Sequence, residues 1–125
     1  MQYEELTGKI LAVAFEVSNE LGAGFLESIY ENALMHCLLE DGFAAENQKP
    51  LEVWFRKKLV GEFYADIVVN NDVILELKAV KKLAPEHEAQ LLNYLKATGK
   101  PVGILLNFGQ SRLEYRRYEN RFVQV

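Results

Sequence analysis

Two ionisable residues interrupt an otherwise aliphatic stretch near the middle of the chain, Val73-Ile-Leu-Glu76-Leu-Lys78-Ala-Val80. The stretch follows the polar break Asn70-Asn71-Asp72 and reads as a buried strand. Glu76 and Lys78 are two positions apart, so on a strand both leave the same face. A carboxylate and an ammonium in a hydrophobic strand are costly unless they have partners or a function. Asp66 lies on the preceding alternating segment. If Asn70 to Asp72 form a three-residue hairpin loop, Val69 opposes Val73 and Asp66 opposes Glu76 directly. A slip of one residue would send Asp66 to the other face.

Two carboxylates opposed across an antiparallel pair repel, and a divalent cation removes the repulsion. Magnesium, or manganese in its place, takes oxygen ligands and is held by one or two carboxylates with waters and substrate phosphate, a set that Asp66 and Glu76 offer. Lys78 alongside would hold or activate the attacking water and offset charge on a phosphorane-like transition state. Taken alone, Glu-x-Lys also fits an ion pair of Lys78 with Glu76 or Asp66 on a half-exposed sheet face.

The surrounding elements must place these groups. Leu51, Val53 and Phe55 alternate with Glu52, Trp54 and Arg56, and Phe63, Ala65, Ile67 and Val69 alternate with Tyr64, Asp66 and Val68. With a turn expected across Lys57 to Gly61, the three segments make an antiparallel meander. Upstream, Leu6, Ile10, Val13, Ala14, Val17 and Leu21 recur at helical steps until Gly22-Ala-Gly24. Leu26, Tyr30, Ala33, Leu34, Cys37 and Leu38 form a second stripe that ends at Gly42, so a helical hairpin is expected. Downstream, Pro85 suits the first turn of a helix that runs through Leu91, Leu92 and Leu95 to Gly99. Val102 to Phe108 reads as a fully buried strand and Leu113 to Val123 as a final strand with a short extension. The order is ααβββαβ followed by a further β, an α+β layer structure.

At 125 residues and 14.3 kDa the chain fits one domain, 1–125, and not a two-lobed enzyme with separate cofactor and substrate domains. Half of it is apolar and 26% charged, which argues against disorder and against a membrane bundle. The single cysteine, Cys37, excludes an internal disulfide and a thiolate-cluster zinc site. No apolar run approaches the roughly 18 residues of a membrane span, and the opening Met-Gln-Tyr-Glu-Glu is acidic, so a soluble cytoplasmic protein is expected. Charge is segregated: residues 1–48 hold nine acidic side chains against Lys9, whereas residues 49–125 hold thirteen basic and nine acidic ones. Lys81 and Lys82 follow the Glu-x-Lys strand, Lys96 lies on the next helix, and Arg112, Arg116, Arg117 and Arg121 crowd the tail among Tyr115 and Tyr118. Such a set suits a phosphate backbone with rings for stacking; it equally suits a charge-blunted edge strand.

With Asp66 and Glu76-x-Lys78 on adjacent strands, the chain resembles the PD-(D/E)XK nuclease superfamily, in which these groups bind the catalytic metal on an αβββαβ core. Gln90-Leu-Leu-Asn-Tyr94 is similar to the Gln-x-x-x-Tyr motif of the RecB-like branch, and its two side chains share a helix face with His87. Gly24-Phe-Leu-Glu27-Ser-Ile-Tyr30 reproduces the signature of the GxxExxY protein family, a small branch of that superfamily, which Asn32 to Leu34, Glu76 to Val80, Gln90 to Thr98 and Leu106 to Gly109 also resemble.

The resemblance implies a restriction-endonuclease-like α/β core, a mixed sheet flanked by helices, and a metal-dependent nuclease acting on nucleic acid, DNA in preference to RNA. It implies Asp66 and Glu76 as metal ligands, Glu27 as a third ligand directly or through water, Lys78 beside the water and Gln90 positioning. Tyr94, Tyr30, Lys81, Lys82 and Lys96 would face substrate, with Tyr30 otherwise in the core and hydrogen-bonded to a site carboxylate. The contrasting function is a non-catalytic nucleic-acid- or protein-binding module on the same fold. A homodimer or protein partner would supply target choice. No membrane partner is expected.

Overall fold

Helix α1 (Glu4–Leu21) buries Ile10, Val13, Ala14 and Val17 along one stripe and ends where Gly22 adopts a φ of 72°. Helix α2 (Glu27–Glu40) buries Tyr30, Leu34 and Leu38, and the left-handed Gly42 follows its end. The chain then forms β1 (Ala45–Phe55), β2 (Lys58–Val69), β3 (Val73–Lys78), helix α3 (Pro85–Thr98), β4 (Val102–Asn107) and β5 (Glu114–Glu119). The computed structural model describes residues 3–121, so the expected extension of the last strand to Val123 lies outside the described residues. No helix among the described residues is long and apolar enough to cross a membrane.

The five strands form one sheet in the order β1-β2-β3-β4-β5, antiparallel except for the parallel β3/β4 pair that α3 connects. Helices α1 and α2 pack on one face with Ile67, Leu75, Leu77, Ile104 and Leu106. Helix α3 packs on the other with Leu51, Ala65, Val68, Ile74 and Leu105. Covered on both sides, β4 is buried throughout and β3 up to Leu77, which is why both read as continuous apolar runs. The mixed sheet flanked by helices is the α+β architecture expected from the element order.

Three details differ from the sequence-based expectation. The β1/β2 turn is the two-residue Arg56-Lys57 and not a loop across Lys57 to Gly61, with Phe55 opposite Lys58 and φ values of 50° and 65° at the turn. Gly61 suggested a turn but sits inside β2 opposite Val53. Strand β1 also starts six residues before Leu51, at Ala45, because its polar start lies on the sheet edge and shows no apolar alternation. Finally, the segment Phe63 to Val69 does not keep one face. Ala65 packs with the α3 layer and Ile67 with the α1/α2 layer, so the alternation slips at Asp66. Opposite that slip, Gln48 has a φ of 49°, and the ladder that pairs Asn47 with Ile67 and Lys49 with Ala65 skips the residues between them.

Where β3 ends, the fully buried Asn107 clamps the departing chain. Its Oδ1 accepts from Val80 N–H and Gly109 N–H, both at 3.0 Å, while its Nδ2 donates to Val80 O at 2.9 Å and to Glu114 Oε1 at 3.0 Å. Phe108 N–H donates to Lys78 O at 2.8 Å. Gly109 lies so close to this segment that a Cβ would overlap the backbone N and O of Val80 and stand 2.7 Å from Ala79 C. The clash is with backbone, so no rotamer relieves it. Gly109→Ala is therefore expected to lower unfolding stability in urea by about 1–3 kcal/mol or more. Gly61→Ala, whose added Cβ meets nothing within 4 Å, is expected to stay within about 0.5 kcal/mol of the parent.

Candidate functional site

The β2/β3 ladder pairs Val69 with Val73, Val68 with Ile74 and Ile67 with Leu75, and there it stops. Asp66 and Glu76 are the next positions in that register, as the three-residue loop predicts. The strands fork at this point because Leu77 N–H donates to Asp66 Oδ2 at 2.8 Å, where a longer ladder would use a β2 carbonyl. Asp66 Oδ1 accepts from Gln48 Nε2 at 3.4 Å, and the same amide donates to Glu31 Oε1 at 2.8 Å. Asp66 is thereby held from β3 and β1, with α2 in turn holding Gln48.

Glu76 is 4% exposed, and its Oε1 is buried with no hydrogen-bond partner. Burial, and then the neighbouring Asp66 charge, push its carboxyl pKa up to about 9, outweighing Lys78. In the metal-free protein Glu76 is thus a neutral acid at pH 7. Two adjacent carboxylates cannot both carry charge in an apolar strand without a cation between them, so one keeps its proton.

Lys78, next on the same face, emerges to half-burial at the strand end. Its Nζ donates to Gln90 Oε1 at 3.4 Å, and Gln90 Nε2 donates to Tyr94 OH at 2.9 Å. Tyr94 is itself stacked on Phe63, with ring centroids 3.8 Å apart. The spacing that puts Gln90 and Tyr94 one turn apart on α3 thus gives Lys78 an anchored acceptor. His87 accepts from Ala84 N–H through Nδ1 at 3.0 Å and so caps the helix that Pro85 opens, and it lies within electrostatic reach of Glu27.

From the opposite layer, α2 presents Glu27 as its first residue. The Gly24-x-x-Glu27-x-x-Tyr30 spacing has a physical basis here. Gly24 adopts a φ of 113°, and the Tyr30 hydroxyl donates to Gly22 O at 2.5 Å and accepts from Phe25 N–H at 3.2 Å, pinning the turn that starts the helix. Glu27 is solvent-exposed, yet its carboxyl is raised above its ordinary range by desolvation; Lys78 opposes this, and Asp66 and Glu31 add to it. The residue therefore shares the electrostatic field of the Asp66 and Lys78 cluster.

Asp66, Glu76, Lys78 and Gln90 are brought together, with Tyr94 behind Gln90 and Glu27 across the fork. Tyr30 is corrected: it is fully buried, stacked on Phe108 at 4.8 Å, and its hydroxyl is bonded to backbone, neither to a site carboxylate nor open to substrate. Lys96 is also displaced. It lies six residues beyond Gln90, about 9 Å farther along the axis of α3 and on another face, toward the Val102 end of the sheet. Lys81 and Lys82 stand exposed in the bend after β3. Among the described residues no three His, Cys, Asp or Glu side chains converge as a metal cage. Asp66 and Glu76, side by side with Glu27 across the fork, are hard oxygen donors, one with an orphaned buried oxygen, and they suit a cation that keeps several waters.

Sequence reasoning missed Gln48, Glu31 and Asn107. Gln48 and Glu31 carry no signal, one in a polar strand start and the other a half-buried residue beside Tyr30 on α2. Asn107 did carry one, as a polar residue closing a buried apolar strand.

The raised Glu76 pKa fixes a pH dependence. Between about 4.5 and about 9 the folded metal-free protein holds a proton that the unfolded chain has released. Stability from this group is full at low pH and is lost as pH rises through that window, by at most about 1.4 kcal/mol per pH unit. Urea unfolding in EDTA at several pH values is expected to show this decline in the parent and a shallower one in Glu76→Gln. Identical slopes in the two proteins would contradict the assignment.

The family model of the PD-(D/E)XK nuclease superfamily matches residues 4–118. No curated relative matches significantly. Among solved structures, the crystal structure of SSO0001 is similar to this chain with a TM-score of 0.60 and 22% sequence identity, covering 95% of this chain and 60% of that one. The chain thus spans about 60% of the length of that protein, and the likeness is one of fold. Five mixed strands flanked by three helices make a restriction-endonuclease-like fold, and the match across nearly all of its elements places the chain in the PD-(D/E)XK nuclease superfamily.

Proposed function

We propose that the chain is a magnesium- or manganese-dependent phosphodiesterase that hydrolyses nucleic acid, DNA in preference to RNA. The observation that carries this reading is the buried, partnerless Oε1 of Glu76 beside Asp66. A polar atom so placed is costly in a merely structural strand, and two adjacent carboxylates are the donor set that a hydrated divalent cation takes. Asp66 and Glu76 would hold the ion, and Glu27, across the fork, would act through water. The Gly24, Glu27 and Tyr30 signature supports placement in the GxxExxY branch, and Gln90 with Tyr94 supports kinship with the RecB-like one.

A divalent cation bound there supplies charge neutralisation and a water of lowered pKa. The chain's own residues do the rest. Glu76 would have to give up its proton to serve as a ligand, so metal affinity is expected to rise with pH. Lys78, steered by Gln90 Oε1, faces the reacting phosphate and offsets the negative charge that develops on its oxygens. Gln90 holds the Lys78 ammonium at one position, and Tyr94 holds Gln90. Lys81 and Lys82, on the exposed bend beyond Lys78, would contact flanking phosphates.

Lys78→Met is expected to lower metal-dependent cleavage at least about a hundredfold with little change in the thermal midpoint. Gln90→Ala should lose activity while keeping metal affinity, and Asp66→Asn should lose both. Magnesium at about a hundredfold excess over Kd should stabilise the parent by about 2.7 kcal/mol and Asp66→Asn much less. Cleavage of single- and double-stranded DNA and RNA, calorimetric metal titration and thermal melts with and without magnesium together check all four. Nucleic-acid binding without cleavage by any preparation would leave a binding module on a nuclease fold.

A further inference from the structure

The ribbon formed by β1 and β2 outruns the sheet. Strand β2 pairs with β3 only over Ile67, Val68 and Val69, so its portion from Lys58 to Ala65 has β1 as its one strand partner. Helix α3 packs on this ribbon near its base, at Leu51 and Phe63. Beyond that the tip has neither a third strand nor a helix, and such a hairpin is marginal in water. Even so, Trp54, Phe55 and Leu59 are 58%, 60% and 44% exposed there. Large apolar side chains left open at so thinly supported a tip suit a binding surface.

The turn that joins them supplies charge. Arg56, Lys57 and Lys58 are consecutive, and among the described residues none of them is in an ion pair. Trp54 is the cross-strand partner of Leu59, and Phe55 of Lys58, so each face of the ribbon carries one open ring. The Arg56 guanidinium stands 5.1 Å from the Phe55 ring centre. Both turn residues are left-handed, with φ values of 50° and 65°. Asn-Gly is the favoured pair for that geometry, and arginine and lysine adopt it with strain. A turn that breaks its local rule in order to display two cations points to function.

We propose that this tip binds single-stranded DNA, with Arg56, Lys57 and Lys58 on phosphates and unpaired bases stacked on Trp54 and Phe55. Open rings on both faces need unpaired bases, and adjacent cations need a polyanion, in a protein whose net charge is −4. The choice of polymer rests on the nuclease reading above. Asp66 lies eight residues along β2 from Lys58, about 27 Å at strand rise. The tip would therefore grip the strand roughly eight stacked nucleotides from the bond cleaved.

The test measures anisotropy of a labelled oligothymidylate longer than this span, titrated with the full chain in EDTA over a range of potassium chloride. Trp54→Ala is expected to weaken binding about tenfold. Arg56→Ser, Lys57→Ser and Lys58→Ser combined should reduce the slope of log affinity against log salt by about two. Arg56→Asn with Lys57→Gly should raise the thermal midpoint and still weaken binding, a combination that a purely structural turn would not give. Absence of binding by the parent, unchanged affinity in the tip variants, equal losses for single strand and duplex, or a change only in oligomeric state on sedimentation would each overturn the proposal. Cleavage assays separate the two readings. Tip-dependent binding without cleavage leaves the ribbon and removes the nuclease, whereas cleavage with tip-independent binding does the reverse.

Discussion

The Leu77 amide gives its hydrogen bond to a side chain, Asp66 Oδ2, at a position where the β2/β3 ladder would otherwise continue. The bond is charge-assisted, so the exchange satisfies a buried N–H without loss. It also ends the ladder, and the local architecture follows from that ending. Strand β2 leaves β3, its faces slip between Ala65 and Ile67, and β1 follows it by bending at Gln48. The ribbon that results runs on with β1 after only three residues of β2 have paired with β3. Bulges and forks of this kind re-aim side chains that regular pleating would hide, and here Asp66 comes to face Glu76 at the mouth of the fork.

Fixing Lys78 is a separate problem, solved at the other end of β3. The strand has to stop just after this residue, and Asn107 stops it by filling both backbone hydrogen-bonding groups of Val80. Glu114 holds the Asn107 amide from β5, and Phe108, bonded through its N–H to Lys78 O, stacks on Tyr30 of α2. One contact chain therefore links the α2 start, where Glu27 sits, to the end of the strand that bears Lys78. From the other layer, α3 brings Gln90. The candidate site forms where the two helical layers approach the same open edge, so neither layer alone could build it.

Much of this is legible in the sequence because its physical signals are local. Apolar spacing at three and four residues marks α1 and α2; Pro85 and Gly99 bound α3; and the three residues Asn70 to Asp72 set the register that brings Asp66 to Glu76. The polar pair in β3 stands out because its neighbours are aliphatic. What stays hidden depends on partners far along the chain. Gln48 matters only because it reaches both Glu31 and Asp66, and nothing in the run from Glu46 to Lys49 signals that. The face slip at Asp66 breaks the alternation that sequence reading relies on. Tyr30 misleads as to its partner, since a hydroxyl at that spacing can serve the turn before the helix as well as a site beyond it. Lys96 looks like a site residue only while distance along the helix axis is overlooked beside proximity in sequence.

The central strand gives rigidity, which is what a site needs, and it imposes the cost of placing charge where water is excluded. Glu76 meets that cost in the metal-free protein by staying protonated. The proton and a divalent cation are alternative solutions to the same repulsion from Asp66, and they exclude each other at one carboxylate. A domain of this size has few kilocalories of net stability to spare, so folding without the ion favours the neutral form, and ligation would require its loss. On the proposed function, the strand that makes the fold rigid is therefore also the element that couples metal binding to proton release. Asp66 is already held beside Glu76 by Leu77 and Gln48 before any ion binds.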